Sequence, residues 1–545
     1  MSHTLLTVDV PTPYHHSKSP PRWRTPEFFV YYVFFVVVVP WMAWVPVSLS
    51  STSHRNYNLY RHRLAPGWLF GREVDNSDLQ YRSFRSNIPA LALLLSVFFL
   101  LKYIYTRPIF RAAASPPNNM HRVPFYTAFS IIMLFALHGT SALKVLLILT
   151  ANYALARACK GHKGAIAITW LFNGAVLFLN DRHSGYTFAS AHPALEFLDS
   201  WQGVYPRWHV SFNITMLRLV SFSVDYHWAC TRTGAPDTAN FEMSEKQRAA
   251  TFHPLETYSY ANYLAYALYA PLYIAGPIMT FNDFMWQLAR PTAISTRKNV
   301  RYAVRFLVTL LTMELVLHFM YVVAIKDARA WGGDSVAELS MIGFWNLMVV
   351  WLKLLLPWRF FRLWALLDGV DPPENMVRCM ANNYSTLGFW RSWHRSYNLW
   401  IVRYIYIPLG GTKHVAVSSV LVFTFVALWH DLSFKLLAWG WLISLFILPE
   451  LLARRLLPAS TFAPRAWYRH ACAAGAVVNA LMMVSANMVG FVVGTDGMKH
   501  IIHEIVGSWA GLRFLISACV CIFVAVQLMF EYREEEGRRG IYRRC

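Results

Sequence analysis

The sequence predicts an all-α, polytopic membrane protein, one helical bundle with about 11–13 membrane-embedded helices, some of them re-entrant or kinked. Three observations carry that expectation. Only 14% of the 545 residues are charged, where a soluble protein of ordinary composition carries about 25%. Hydrophobic residues make up 56% of the chain. Apolar runs of about bilayer length recur from one end to the other. A soluble globule of this size would need far more Lys, Glu, Asp and Arg to cover itself. Disordered and disulfide-scaffold classes fail on the same numbers.

The elements follow in order. Residues 1–26 are polar and Pro-rich, with Lys18, Arg22 and Arg24 ahead of the first apolar run at 28–47. No small-residue cleavage site follows that run, so it reads as an anchor and not as a removed leader. The stretch 51–87 is hydrophilic and Arg-rich. Apolar runs then recur near 88–105, 124–137, 140–158, 165–180, 208–228, 258–280, 303–325, 339–368, 414–430, 434–452, 471–494 and 511–530. Gly276, Pro271 and Pro277 interrupt the run at 258–280, so a kinked or broken helix is expected there. The last residues, 531–545, read as a charged, solvated tail. The chain thus divides into 1–26, a single membrane domain at 27–530 with its core at about 205–450, and the tail. No internal repeat supports the inverted-repeat plan of many transporters.

The formal net charge is +21. On a soluble protein that would suggest nucleic acid. Here the Lys and Arg flank apolar runs, where they set topology and meet anionic headgroups, so no nucleic-acid partner is implied. The seven cysteines include no CxxC pair, so neither a zinc site nor a disulfide framework is expected. G-x-S-x-G, the P-loop and H-E-x-x-H are all absent. Sequons at Asn213 and Asn383 lie in or beside apolar segments, where glycosylation is poorly placed.

Two segments stand out. The string FWRSWHRSYNLWIVRYIYIPLGG at 389–411 places Trp390, Trp393, Tyr397, Trp400 and Tyr404 on one helical stripe. Arg391, Arg395 and Arg403 fall on another face, and His394 and Asn398 lie one turn apart. An interfacial amphipathic helix explains the stripe and the arginines as well as a binding surface does. The string LVFTFVALWHDLSFKLLAWGWLISLFILPE at 421–450 buries Trp429, His430 and Asp431 in an apolar run with one other charge, Lys435, before Glu450. An ionisable group at membrane depth is costly and marks a functional site by default. A histidine at a helix end bonding a carbonyl is the plainer alternative. Arg218 and Asp225, seven apart, are expected to form a buried pair of structural importance. Asn382 and Asn383 are candidate caps for the helix that follows.

The pairing of FWRSWH with a downstream LWHD resembles the membrane-bound O-acyltransferase (MBOAT) family. VSFNITMLRLVSFSVDYHWA at 210–229, LYAPLYIAGPIMTFNDF at 268–284 and SYNLWIVRYIYIPLGGTKH at 396–414 resemble its glycerol-uptake-protein branch. That resemblance implies catalytic roles for His430, matching the family's signature histidine, and for His394, matching its second polar position. It further implies no bound cofactor, acyl-CoA as co-substrate and a tunnel through the bundle. The implied acceptor is the sn-2 hydroxyl of a lyso-form glycosylphosphatidylinositol (GPI) anchor or of a lysophospholipid, in the endoplasmic reticulum membrane. Arg391, Trp393, Arg395, Tyr397, Asn398, Trp429 and Asp431 are the accompanying candidates for substrate contact. A neighbouring branch acylates proteins, as Hedgehog acyltransferase does, so an N-terminal or side-chain amine is the alternative acceptor. A glycerol transporter or a non-catalytic scaffold is the reading from another class. The absence of repeats and the presence of both histidines stand against it.

Overall fold

The computed structural model describes residues 20–112, 118–236, 243–291, 293–430, 434–541 and 543. Helices dominate, and the strands among the described residues are two short pairs, 64–66 with 73–75 and 235–236 with 251–252. The first half holds α1 (Pro26–Leu49), α2 (Leu79–Ala112), α3 (Val123–His138), α4 (Ser141–Cys159), α5 (Ala165–Arg182) and α6 (Trp208–Cys230). A broken region follows, with α7 (Tyr260–Ala267), α8 (Ala270–Tyr273) and α9 (Phe281–Ala289). Long helices resume with α10 (Thr296–Phe319) and α11 (Val336–Asp368). Then come the short α12 (Thr386–Ser392) and α13 (Arg395–Ile401), α14 (Val415–His430), α15 (Phe434–Leu456), α16 (Tyr468–Asn487) and α17 (Trp509–Arg538).

Among the described residues, eight helices are long and apolar enough to cross a bilayer. A ninth span results if α10 and the helix Val322–Ala328, bent by 49°, count as one. The expected 11–13 embedded helices include short, kinked and re-entrant ones that do not span alone. Length and hydropathy separate these spans from shorter or more polar helices such as α6, α7, α12 and α14. The run 258–280 is not a span at all. It breaks after Ala267 and again after Tyr273, and a Cβ at Gly276 would fall 2.5 Å from the Leu272 Cα.

A broken helix frees carbonyls, and a bilayer supplies no water to satisfy them. Arg218 on α6 solves this locally. Its Nη1 donates to the Ala267 carbonyl at 2.9 Å and its Nη2 to the Leu272 carbonyl. Arg218 is almost fully enclosed, and its charge rests against the negative end of α7. The expected Arg218–Asp225 pair does not form. Asp225, one face further along, bonds Arg403 and Tyr404 instead. Seven residues separate the two side chains by two turns, and each finds a nearer partner on another element.

The bundle is closed by a second buried cluster. Asp368, at the end of α11, takes Lys102 of α2 at 2.5 Å and the Tyr269 hydroxyl. Arg122 donates to its carbonyl at 3.3 Å. Phe98 packs edge-on to Trp364 with centroids 5.3 Å apart, so α2 and α11 also share an aromatic contact. The charged end of the chain is not all solvated: α17 runs through to Arg538. Glu531, Glu534 and Glu536 are buried there, with Arg469 and Arg538 on Glu531 and Glu534, and Arg378 on Glu536.

Two predictions follow from this frame. Arg218→Leu strips both carbonyls of their donor and should lower stability by about 3 kcal/mol, read as a lower melting temperature in detergent. Arg218→Lys, with one compact head, should recover only part of it. The second concerns orientation. The bundle end that carries Arg157, Lys160, Lys163, Arg232, Arg297, Lys298, Arg301 and Arg305 holds the denser run of basic residues. A cysteine replacing exposed Lys163 should therefore label from the cytosolic side of sealed vesicles, and one replacing exposed Ser190 only from the other.

Candidate active site

The predicted stripe at 389–411 is not one helix. The chain turns at His394, which holds φ 45° and ψ 50° between α12 and α13. A non-glycine residue in that region is strained by about 1–2 kcal/mol. The surroundings hold it there. Ser385 caps α12, accepting from the Gly388 N–H at 3.0 Å. The loop residue Met376 forms an isolated bridge with Trp393. The Asn375 carbonyl accepts the Arg395 N–H at 3.0 Å, and its side chain accepts the Ser396 N–H at 3.1 Å. The Ser396 hydroxyl then accepts the Ile278 N–H at 2.9 Å, tying the turn to the broken region. Asn398 reaches back across the break, donating to the Trp390 carbonyl at 2.9 Å. After Ile401 the helix widens into a π turn at Val402–Tyr406.

His394 lies flat against Trp358 of α11, ring centroids 4.7 Å apart and planes 22° apart. On its other side stands Tyr397, with centroids 5.2 Å away. Tyr397 packs on Trp429 at 4.5 Å, and Trp429 meets His430 edge-on at 4.8 Å. An aromatic relay therefore joins the two predicted histidines, which come from elements 36 residues apart in sequence. His430 is exposed and His394 half-buried.

Trp429 is fixed by α6. Its indole N–H donates to the Asn213 carbonyl at 3.0 Å, and the Asn213 amide returns a bond to the Trp429 carbonyl at 3.2 Å. The reciprocal pair satisfies a carbonyl in the last turn of α14 and holds His430 at the helix end. A groove of about 320 Å³ between α14 and α15, lined by Ser419, Trp441 and Leu448 among others, is a separate feature. It starts about 16 Å along the helix from His430.

The remaining sequence candidates divide clearly. Trp393 packs in the cluster, 5.6 Å from Phe389 and 6.0 Å from Trp358. Arg395 is engaged by Glu245 at 3.2 Å, and Arg403 by Asp225 at 2.8 Å while it covers the Trp228 ring at 4.6 Å. Arg391 is half-buried on α12. Asp431 lies outside the described residues. Asn382 and Asn383 do not cap α12: Asn382 accepts from Arg533, and Asn383 donates to the Cys379 carbonyl. Sequence reasoning missed Trp358, Asn213 and Asn375. Asn213 drew notice only as a sequon, while Trp358 and Asn375 carried no local signal.

A bundle of membrane-length helices in which Tyr397 and Trp429 link His394 to His430 defines a polytopic membrane protein with a histidine pair in its aromatic cluster. The family comparison makes this specific. The sequence profile of MBOAT, the membrane-bound O-acyltransferase family, matches residues 166–495, which include both histidines. The chain is 45% identical over 539 residues to the membrane-bound O-acyltransferase GUP1 of Saccharomyces cerevisiae, covering 97% of this chain and 94% of that protein. It is 42% identical over 533 residues to gup1 of Schizosaccharomyces pombe, covering 95% and 90%. The mouse protein-cysteine N-palmitoyltransferase HHAT is 29% identical over 252 residues, covering 43% and 50%. The chain belongs to the MBOAT family and is a membrane-bound O-acyltransferase.

One outcome tests the architecture around the site. Asp225→Asn should leave the half-buried Arg403 without its counter-charge and cost about 3 kcal/mol. Adding Arg403→Met in the same chain should recover part of that loss, measured as a double-mutant cycle of thermal unfolding.

Proposed function

We propose that this chain moves a fatty acyl group from acyl-CoA to a lipid hydroxyl in the endoplasmic reticulum membrane. The acceptor is the sn-2 hydroxyl of a lyso-GPI anchor or of lyso-phosphatidylinositol. The observation that carries the reading is the aromatic chain that links His394 to His430 through Tyr397 and Trp429. In the proposed step His430 takes the proton of the acceptor hydroxyl as its oxygen attacks the thioester carbonyl. The new C–O bond forms while the carbonyl electron pair moves onto oxygen, beside His394. When that pair returns, the C–S bond breaks, and the CoA thiolate leaves with the proton from His430. Reactants and products balance without a net proton.

A lipid hydroxyl is favoured over a protein amine by the extent of the likeness. Relatives named O-acyltransferases match over nearly the whole chain, whereas the N-palmitoyltransferase matches less than half of it. The protein-acceptor reading keeps the same two histidines and changes only the acceptor. Arg395 holds Glu245 and Arg403 holds Asp225, so neither is free to meet a CoA or inositol phosphate in this arrangement.

Purified protein given radiolabelled acyl-CoA should acylate lyso-phosphatidylinositol or a lyso-GPI, and not an N-terminal cysteine peptide. His430→Ala should lose about 10²–10⁴ of kcat with its melting temperature preserved. His394→Asn should also stay folded, because asparagine tolerates the left-handed backbone, and should lose activity. Transfer to the peptide alone would move the assignment to a protein acceptor. Full activity in His430→Ala would remove the mechanism.

A further inference from the structure

The groove of about 320 Å³ between α14 and α15 has a chemistry of its own. A Cβ at Gly440 would fall 2.8 Å from the Phe423 carbonyl oxygen, so glycine lets the two helices meet closely there. One residue on, the Trp441 indole N–H donates to the Thr424 hydroxyl at 3.1 Å. Past that contact the groove opens, walled by Val420, Leu445, Leu448 and Leu451 with Ser419 and Ser444. The Ser444 hydroxyl is taken by the Gly440 carbonyl at 3.1 Å and adds little polarity. From Trp441 to Leu451 the α15 wall runs about 15 Å, one leaflet's share of a hydrocarbon core about 30 Å thick. α15 is one of the eight membrane-length helices, so this wall faces lipid. The end of the groove is basic. The helical face of Trp441, Leu445 and Leu448 continues to Arg455 in the last turn of α15. On the other side the chain reaches Lys413 in the short turn before α14. Counted from the Thr424–Trp441 contact, Lys413 lies about 18 Å along one wall and Arg455 about 21 Å along the other, so they stand at one level. Both are exposed, and neither meets a carboxylate among the described residues. Arg454, by contrast, is held by Glu450 at 2.5 Å.

We infer that this groove is a binding site for a diacyl phospholipid with an anionic headgroup. One acyl tail lies against Leu445 and Leu448, and the phosphate region sits at Lys413 and Arg455. An apolar wall one leaflet deep that ends in two cations at headgroup level matches that molecule from tail to head. Ser419 stands between the two zones, where its hydroxyl donates to an ester oxygen of the glycerol. The occupant is not the reacting acyl chain, because the groove starts about 16 Å along α14 from His430. The inference does not rest on the acyl-transfer reading. Its consequence is mechanical. α14 carries Trp429 and His430 at one end and touches α15 at Gly440, and a lipid in the groove ties its other end to the same helix. Occupancy therefore steadies the helix that presents His430.

The test uses the full chain in dodecyl maltoside and phosphatidylserine with a diazirine on its sn-2 tail. That lipid has no free sn-2 hydroxyl, so labelling is independent of any acylation. Irradiation should label peptides containing 419–420 and 444–451 in preference to those of α2, whose apolar span is also exposed. Unlabelled phosphatidylserine should compete at least about fivefold better than phosphatidylcholine, and should raise the melting temperature. Lys413→Ala with Arg455→Ala should abolish that preference. The same pair should leave the melting temperature in detergent alone unchanged, since both side chains are exposed. Leu448→Trp, which fills the groove, should lose the labelling, and the charge variant keeps the test decisive if Leu448→Trp fails to fold. Labelling spread evenly over α2 and the groove overturns the inference. So does equal competition by phosphatidylcholine, or a preference that survives the loss of both cations. Stronger competition by acyl-CoA than by phosphatidylserine gives the groove to the acyl donor and overturns it as well.

Discussion

Every backbone group that a helix break sets free in this protein has to be answered from within the chain, because the bilayer offers no water. That constraint organises the site. Arg218 answers the carbonyls after α7 and within α8. Asn398 answers the Trp390 carbonyl across the turn at His394, and Ser396 answers the Ile278 N–H. Asn213 answers the carbonyl of Trp429 one residue before His430. The same side chains that repair the breaks are the ones that fix the two histidines. Stability and the placement of the two histidines therefore draw on one set of hydrogen bonds, and the candidate site sits where the helices are interrupted and not along an unbroken span.

The long helices supply the rigid wall against which this irregular part is held. Trp358, in the middle of α11, backs the His394 ring. Asp368, at the end of the same helix, gathers Lys102 and Tyr269 from two others. A strained backbone persists only when its surroundings over-determine it. At His394 the surroundings do so through the Trp358 face, the Asn375 cap and the Asn398 tether together.

The sequence makes the fold class and the two histidines legible, and physics says why. Membrane helices advertise themselves through long apolar runs, and a lone ionisable group within one is conspicuous. The local geometry of 389–411 was not legible. Five aromatic residues at helical spacing describe a continuous stripe, and nothing in that spacing marks the left-handed residue at its centre. Histidine at 394 looked like one more position on a helix; in the structure it is the corner. Likewise the seven-residue spacing of Arg218 and Asp225 is compatible with a pair, but partner choice depends on elements far away in sequence. Arg218 goes to a broken helix about fifty residues on, and Asp225 goes to the π turn that follows α13.

The asparagines show the limit most plainly. Asn382 and Asn383 sit at the expected distance before α12, yet Ser385 takes the cap. Asn375, ten residues from α12 and set behind two prolines, takes the more demanding job of closing the start of α13. A loop reaches such a position only through tertiary packing, so no window of sequence contains the reason. The corner at His394 is therefore held by a residue that the string 389–411 does not contain, and only the folded chain brings the two together.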